Sequence, residues 1–158
     1  MKSAEELRYL VLAAQREGSR TLSEVLKPLG LTSSQSEVLR VLYDHEPMSL
    51  IELGNMLVCE TGSPSRLVNR LIAADLIAQE ASKVDARKVV LTLTPEGKEK
   101  VQKIVEIEEK FYASIESMLI GKPVQELIDL LWMQVKGKPS GNALELRKAS
   151  ENGGDGRD

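Results

Sequence analysis

Apolar side chains recur along this chain at two distinct periods. Over residues 4–28, Leu7, Leu10, Val11, Ala14, Leu22, Val25 and Leu26, with Leu29 just beyond, are spaced by threes and fours. That spacing predicts a long amphipathic helix, ended by Pro28 and Gly30. Thr32 with Gln35 has the form of a capping box for a second helix over 33–44, and Ser49 with Glu52 has the same form for a third over 50–57. Met48 and Leu53 stand where a hydrophobic staple would place them. A fourth helix, 64–75, starts with Ser63 as N-cap and Pro64 at its first position. The period then changes to two: IAQEAS and KVVLTLT alternate around a VDAR turn and predict a strand hairpin. Thr94 and Pro95 open a further helix of about 39 Å reaching about Ile120, with Val101, Ile104, Phe111, Ile115 and Met118 on one stripe. A last helix after Lys122 carries Val124, Leu127, Ile128, Leu131 and Val135. The remainder, 137–158, concentrates glycine, serine and charge and reads as a flexible tail. No internal repeat is present. Three helices followed by a hairpin make a winged arrangement, so the expected fold is mainly α with a small β-hairpin wing.

The fourth helix presents two unlike faces. At 100° per residue, Pro64, Leu67, Leu71 and Ala74 fall on one side, Ser65, Arg66, Asn69 and Ala73 on the other, and Arg70 on the flank. One side suits a core, and the other offers short hydrogen-bonding groups and a guanidinium.

Composition limits what that polar face can serve. With 158 residues, 42% hydrophobic and 28% charged, the chain fits one globular domain of ordinary size. It contains no run of about 18 apolar residues, and MKSAEELRYL opens acidic and helical where a signal peptide would be basic and then apolar. The expectation is a cytoplasmic protein without a membrane segment. One cysteine and one histidine leave no disulfide framework and too few soft ligands for a metal cluster. With no Gly-rich phosphate loop either, no constellation of nucleophile, acid and base emerges, so neither an enzyme nor a cofactor is expected. The net charge of −3 disfavours nucleic acid only as a sum. Between Ser63 and Lys88, Arg66, Arg70, Lys83, Arg87 and Lys88 outnumber Asp75, Glu80 and Asp85, and the acidic excess lies elsewhere.

SRLVNRL followed by DARKVVLTLTPEGKE, in this order and at this separation, resembles the MarR (multiple antibiotic resistance regulator) family of winged helix-turn-helix transcription factors. The resemblance covers about residues 5–136. It implies a single MarR-like domain over 1–136, with the winged helix-turn-helix at about 32–94 and dimerisation helices at about 4–28 and 95–136. It also implies a homodimeric, sequence-specific regulator of double-stranded DNA, a repressor released by a small effector, acting on a palindromic operator. A lone helix with so wide an apolar stripe needs a partner, which the dimer would supply.

In such a protein the 64–75 helix enters the major groove. Ser63 and Ser65 let the backbone approach closely, Arg66 can offer paired N–H groups to guanine O6 and N7, Asn69 can read adenine, and Arg70 can neutralise phosphate. Asp85 and Arg87 match the family's Asp-x-Arg wing turn, in which the carboxylate braces an arginine that enters the minor groove, with Lys83 and Lys88 on phosphates. Two residues depart from the pattern: Asp75 stands where glycine is usual, although Asp tolerates the left-handed conformation at some cost, and Gln79 stands where a cation is common. Family members bind anionic or phenolic effectors between dimer helices and winged domain, and Arg16, Arg20 and Tyr43 are the residues that could line that cleft. Cys59 reads as a small buried hydrophobe and His45 as a solvated loop residue. The alternative is a winged-helix protein-interaction module without specific DNA binding, which salt-sensitive duplex binding would exclude.

Overall fold

Local hydrogen-bond chemistry starts the helices where the sequence places them. The computed structural model describes residues 1–59 and 62–151. Helix α1 (Ser3–Leu26) runs into a 3-10 turn (Lys27–Leu29) that Gly30 closes at φ 68°. Helix α2 (Ser33–His45) begins with a complete capping box: Gln35 N donates to Thr32 Oγ1 at 3.2 Å, and Thr32 N donates to Gln35 Oε1 at 2.9 Å. Helix α3 (Leu50–Met56) repeats it with Ser49 and Glu52, at 3.2 and 2.7 Å. These reciprocal bonds satisfy amides that a helix start otherwise leaves open. In consequence the Glu52 carboxyl is held below its usual range, chiefly by the Ser49 backbone N–H.

Helix α4 (Pro64–Ala73) has Ser63 at its N-cap and proline at its first position, but Ser63 makes no side-chain cap. Its hydroxyl lies 2.9 Å from the Ser65 hydroxyl instead. Strands β1 (Ile77–Ala81) and β2 (Val89–Leu93) pair antiparallel with Ile77 opposite Leu93 and Ala81 opposite Val89. Met48 adds a bridge to Leu91 on the far side of β2. Helices α5 (Pro95–Leu119) and α6 (Val124–Val135) follow.

The core sits where α2, α3, α4 and the hairpin meet the first turns of α5 and the end of α1: Leu26, Leu39, Leu42, Leu53, Leu71, Ile77, Leu91 and Ile104 are all fully buried. Met48 and Leu53, the predicted staple pair, both belong to it. The junction between α4 and α5 shows how tightly the winged unit closes. Asp75 takes φ 58°, the left-handed value expected of it, and its carbonyl accepts a 2.6 Å bond from Thr94 Oγ1. The same Thr94 oxygen caps α5 by accepting from Gly97 N at 2.9 Å. At Gly97 any Cβ would stand 2.1 Å from the Leu76 carbonyl oxygen, so only glycine lets the helix approach this close.

The flexible tail expected over 137–158 is corrected for its first part. Pro139–Glu151 form a seventh helix, α7, packed against α3 and α6. The glycines that suggested a tail build a corner: Gly137 has φ 72°, and Gly141 abuts the end of α6, where a Cβ would lie 2.1 Å from Val135 O. Ala143 behind it is 1% exposed. The rest of that expectation, 152–158, lies outside the described residues.

The apolar faces of α1 and α6 remain open. Only Leu26 is buried in α1, and no residue of α6 is buried. No helix among the described residues is long and apolar enough to cross a membrane.

Candidate nucleic-acid interface

The recognition candidate α4 is anchored by Leu67, Val68 and Leu71, all buried. Val68, outside the expected stripe, replaces Ala74, which is exposed, because the core reaches the helix from its α2 side as well as from β1. That anchoring leaves Ser63, Ser65, Arg66, Asn69 and Arg70 exposed together on the opposite face. Among the described residues no ion pair engages Arg66 or Arg70, so neither guanidinium is committed within the protein.

The hairpin's turn is built around two side chains. Ser82 Oγ accepts from Val84 N at 3.2 Å and Asp85 N at 3.4 Å, while Asp85 Oδ1 accepts from Arg87 N at 3.1 Å and Arg87 Nε at 3.4 Å. The Asp85 carboxylate thus braces Arg87 from both backbone and side chain, and 94% of the Arg87 side chain stays exposed. Lys83 and Lys88 are exposed beside it. Two projecting cationic elements of different width, a helix and a hairpin tip, are what the major and minor grooves of a duplex accept. Gln79 is exposed on β1.

A cleft of about 350 Å³ opens behind this surface, between α2, α5 and the segment that precedes α4. Its wall carries Arg40, Glu108, Tyr112, Glu37 and Arg147. Arg40 Nε pairs with Glu108 at 3.1 Å and its Nη2 reaches Asp44 at 3.6 Å. Burial pushes the Glu108 carboxyl above its usual range against the pull of Arg40, and burial followed by the Glu108 charge raises the Tyr112 phenol.

The residues expected to line such a cleft lie elsewhere. Arg16 is exposed on α1, Arg20 is exposed and paired to Glu17 at 3.1 Å, and Tyr43 accepts a 2.9 Å bond from Gln102 on the outer side of α2. Leu22 is what α1 contributes to the cleft wall. Helical position says which residues share a face but not which face meets another element, so Arg16, Arg20 and Tyr43 stand outside this intrachain cleft. Arg40 and Glu37 were visible only as polar positions on α2. Their partners Glu108 and Arg147 are 68 and 110 residues away, beyond any local signal.

Two single residues also differ from expectation. His45 ends α2 half-buried on the cleft wall instead of standing in a solvated loop. Cys59 is exposed at the cleft rim and not buried, because the core closes on Leu53 and Leu57 ahead of it. The cleft still shields the thiol enough for desolvation, and then the Glu37 carboxylate, to push it up to about 11. A thiol that keeps its proton at neutral pH is a poor nucleophile. Among the described residues no cluster of three or more His, Cys, Asp or Glu is placed to hold a metal ion.

Residues 31–89 match the MarR family. The HTH-type transcriptional regulator MgrA of Staphylococcus aureus is 37% identical over 91 residues, 57% of this chain and 62% of that protein. The S. aureus MepR–DNA complex superposes with a TM-score of 0.73 at 21% identity, covering 81% of this chain and 95% of MepR. S. aureus MarR in complex with salicylate and kanamycin superposes with a TM-score of 0.67 at 25% identity, covering 81% and 87%.

Proposed function

We propose that the chain is a transcriptional regulator of the MarR family, whose model its residues 31–89 match, that it binds double-stranded DNA sequence-specifically as a cytoplasmic homodimer, and that it represses until a small anionic or phenolic effector releases it. The observation that carries this reading is the pair of exposed cationic elements: Arg66 and Arg70 on the exposed face of α4, and Arg87 braced by Asp85 at the hairpin tip. In this reading Ser63, Ser65, Arg66 and Asn69 face base edges and nearby phosphates, Arg70, Lys83 and Lys88 contact phosphate, and Arg87 enters the minor groove. MepR has been captured on DNA with this same fold, which supports the assignment.

The dimer follows from what the fold leaves open. Leu7, Leu10 and Val11 of α1, Tyr112, Ile115 and Met118 of α5, and Leu127, Leu131 and Met133 of α6 are exposed. A patch of this extent marks an interface. The effector would occupy the cleft, where its carboxylate would compete with Glu108 for Arg40 and its ring would meet Tyr112. S. aureus MarR in complex with salicylate makes that compound the first to try. Selection of bound duplexes from a random pool tests the whole reading. It should return palindromes whose half-site centres lie about one helical turn apart, about 34 Å; recovery of no preferred sequence would overturn it.

A further inference from the structure

The segment 57–59 that leads from α3 to α4 is held by one buried carboxylate. Glu37, on α2, accepts from Val58 N through Oε1 and from Cys59 N through Oε2, both at 2.8 Å. Two consecutive amides on one carboxylate fix the direction in which the chain leaves α3 toward α4. Glu37 is itself held from the far end of the chain. Arg147 of α7 pairs its Nη2 with Glu37 Oε1 and donates from Nε to the carbonyl of Met56, the last residue of α3, at 2.8 Å. A guanidinium that bridges a carboxylate and a carbonyl in fixed fork geometry restrains both.

The rest of α7 is arranged to deliver that guanidinium. Gly137 and Gly141 make the tight corner with α6, Ala143 is buried, and Lys148 Nζ sits 4.8 Å from the centre of the Trp132 ring on α6. We propose that Arg147 and Glu37 are positioning residues for DNA binding: α7 acts as a strap, running from α6 back to the winged unit, that fixes the angle at which α4 is presented. The strap rests on the reading of α4 as the DNA-contacting helix. Its contacts tie the open helices, where a second copy would dock, to the segment that aims α4 at the groove.

Full-length variants test it on the duplex that selection returns, with amide exchange read in parallel. Arg147→Ala should raise Kd about tenfold and speed exchange of the Val58 and Cys59 amides about tenfold, with little change in the α2 core. Lys138→Ala removes the same charge at the opposite end of α7, at the corner with α6, where Lys138 Nζ donates to Gln134 O, and should change either reading by about twofold at most. Arg147→Lys keeps the charge without the planar fork and should fall between the two; it is read in place of Arg147→Ala where the latter fails to fold. Equal Kd values for the Arg147 and Lys138 variants would overturn the strap. Wild-type protein that binds no duplex would sink the DNA reading alone, and the exchange arm would still decide: faster exchange confined to 57–59 upholds the strap, and unchanged exchange overturns it.

Discussion

At the scale of single residues, two exposed arginines have different chemistry to perform in the proposed reading. Arg66 stands on a helix face among short side chains, Ser65 and Asn69, that would let it reach base edges. Arg87 is fixed by Asp85 at a hairpin tip, where a minor groove offers negative potential and little sequence information. Arg66→Ala should therefore cost about 1 to 3 kcal/mol on the preferred duplex and relax choice at one position in each half-site. Arg87→Ala should weaken preferred and unrelated duplexes alike and lower the salt slope by about 1. Titrations of both variants on both duplexes at several salt concentrations check this; an Arg66→Ala that weakens every duplex equally would mean that α4 is only a solvated face. The exposed polar face of α4 and the braced hairpin tip were legible in sequence because each stands next to its own structural cause: Pro64 starts the helix, Leu67 and Leu71 bury one side, and Asp85 braces Arg87 two residues on. The cleft arginines were not, since Arg40 and Arg147 acquire meaning only from Glu108 and Glu37, which the fold brings to them.

At the scale of elements, what was legible is what is local. The starts of α2, α3 and α5 coincide with Thr32, Ser49 and Thr94, because a cap is a contact within four residues of chain, and Pro64 at the first position marks the start of α4. Helix α7 was hidden by the opposite circumstance. Its glycines read as tail composition, but they serve a corner whose tightness depends on the position of Val135. Gly97 is the comparable case inside the winged unit, and it allows a test in which two effects have opposite signs. Alanine prefers a helix over glycine by about 1 kcal/mol, yet a Cβ there would stand 2.1 Å from Leu76 O, a backbone atom that cannot swing aside. The clash should win, so Gly97→Ala should lower stability by about 1 to 3 kcal/mol in denaturant titration. A neutral or stabilising result would show that the junction of β1 with α5 is looser than its geometry states.

At the scale of the whole molecule, the surface is large for a compact chain of this mass. The chain exposes 11340 Å² at 17.4 kDa, against about 7,900 Å² for a compact monomer of that size. Among the described residues, α1, the outer half of α5 and α6 hold apolar side chains out to solvent, and α7 packs on α6. A stable interface needs about 800 Å² from each partner, and helices with exposed leucines on successive turns can supply it. In the proposed reading, a twofold arrangement would also give one modest α4 of ten residues useful specificity: two copies would read two half-sites, and their binding energies would combine. Leu131→Glu combined with Leu10→Glu places two charges on the open faces and none in the winged core. The wild-type chain should sediment at twice 17.4 kDa, and the double variant as a single chain with the winged unit still folded by amide exchange. Affinity for a palindrome should then fall by at least about 10²-fold while a single half-site is bound almost as before. A wild-type chain that sediments as a monomer, or a double variant that keeps its preference for the palindrome, would mean that the open faces of α1 and α6 serve something other than a second copy.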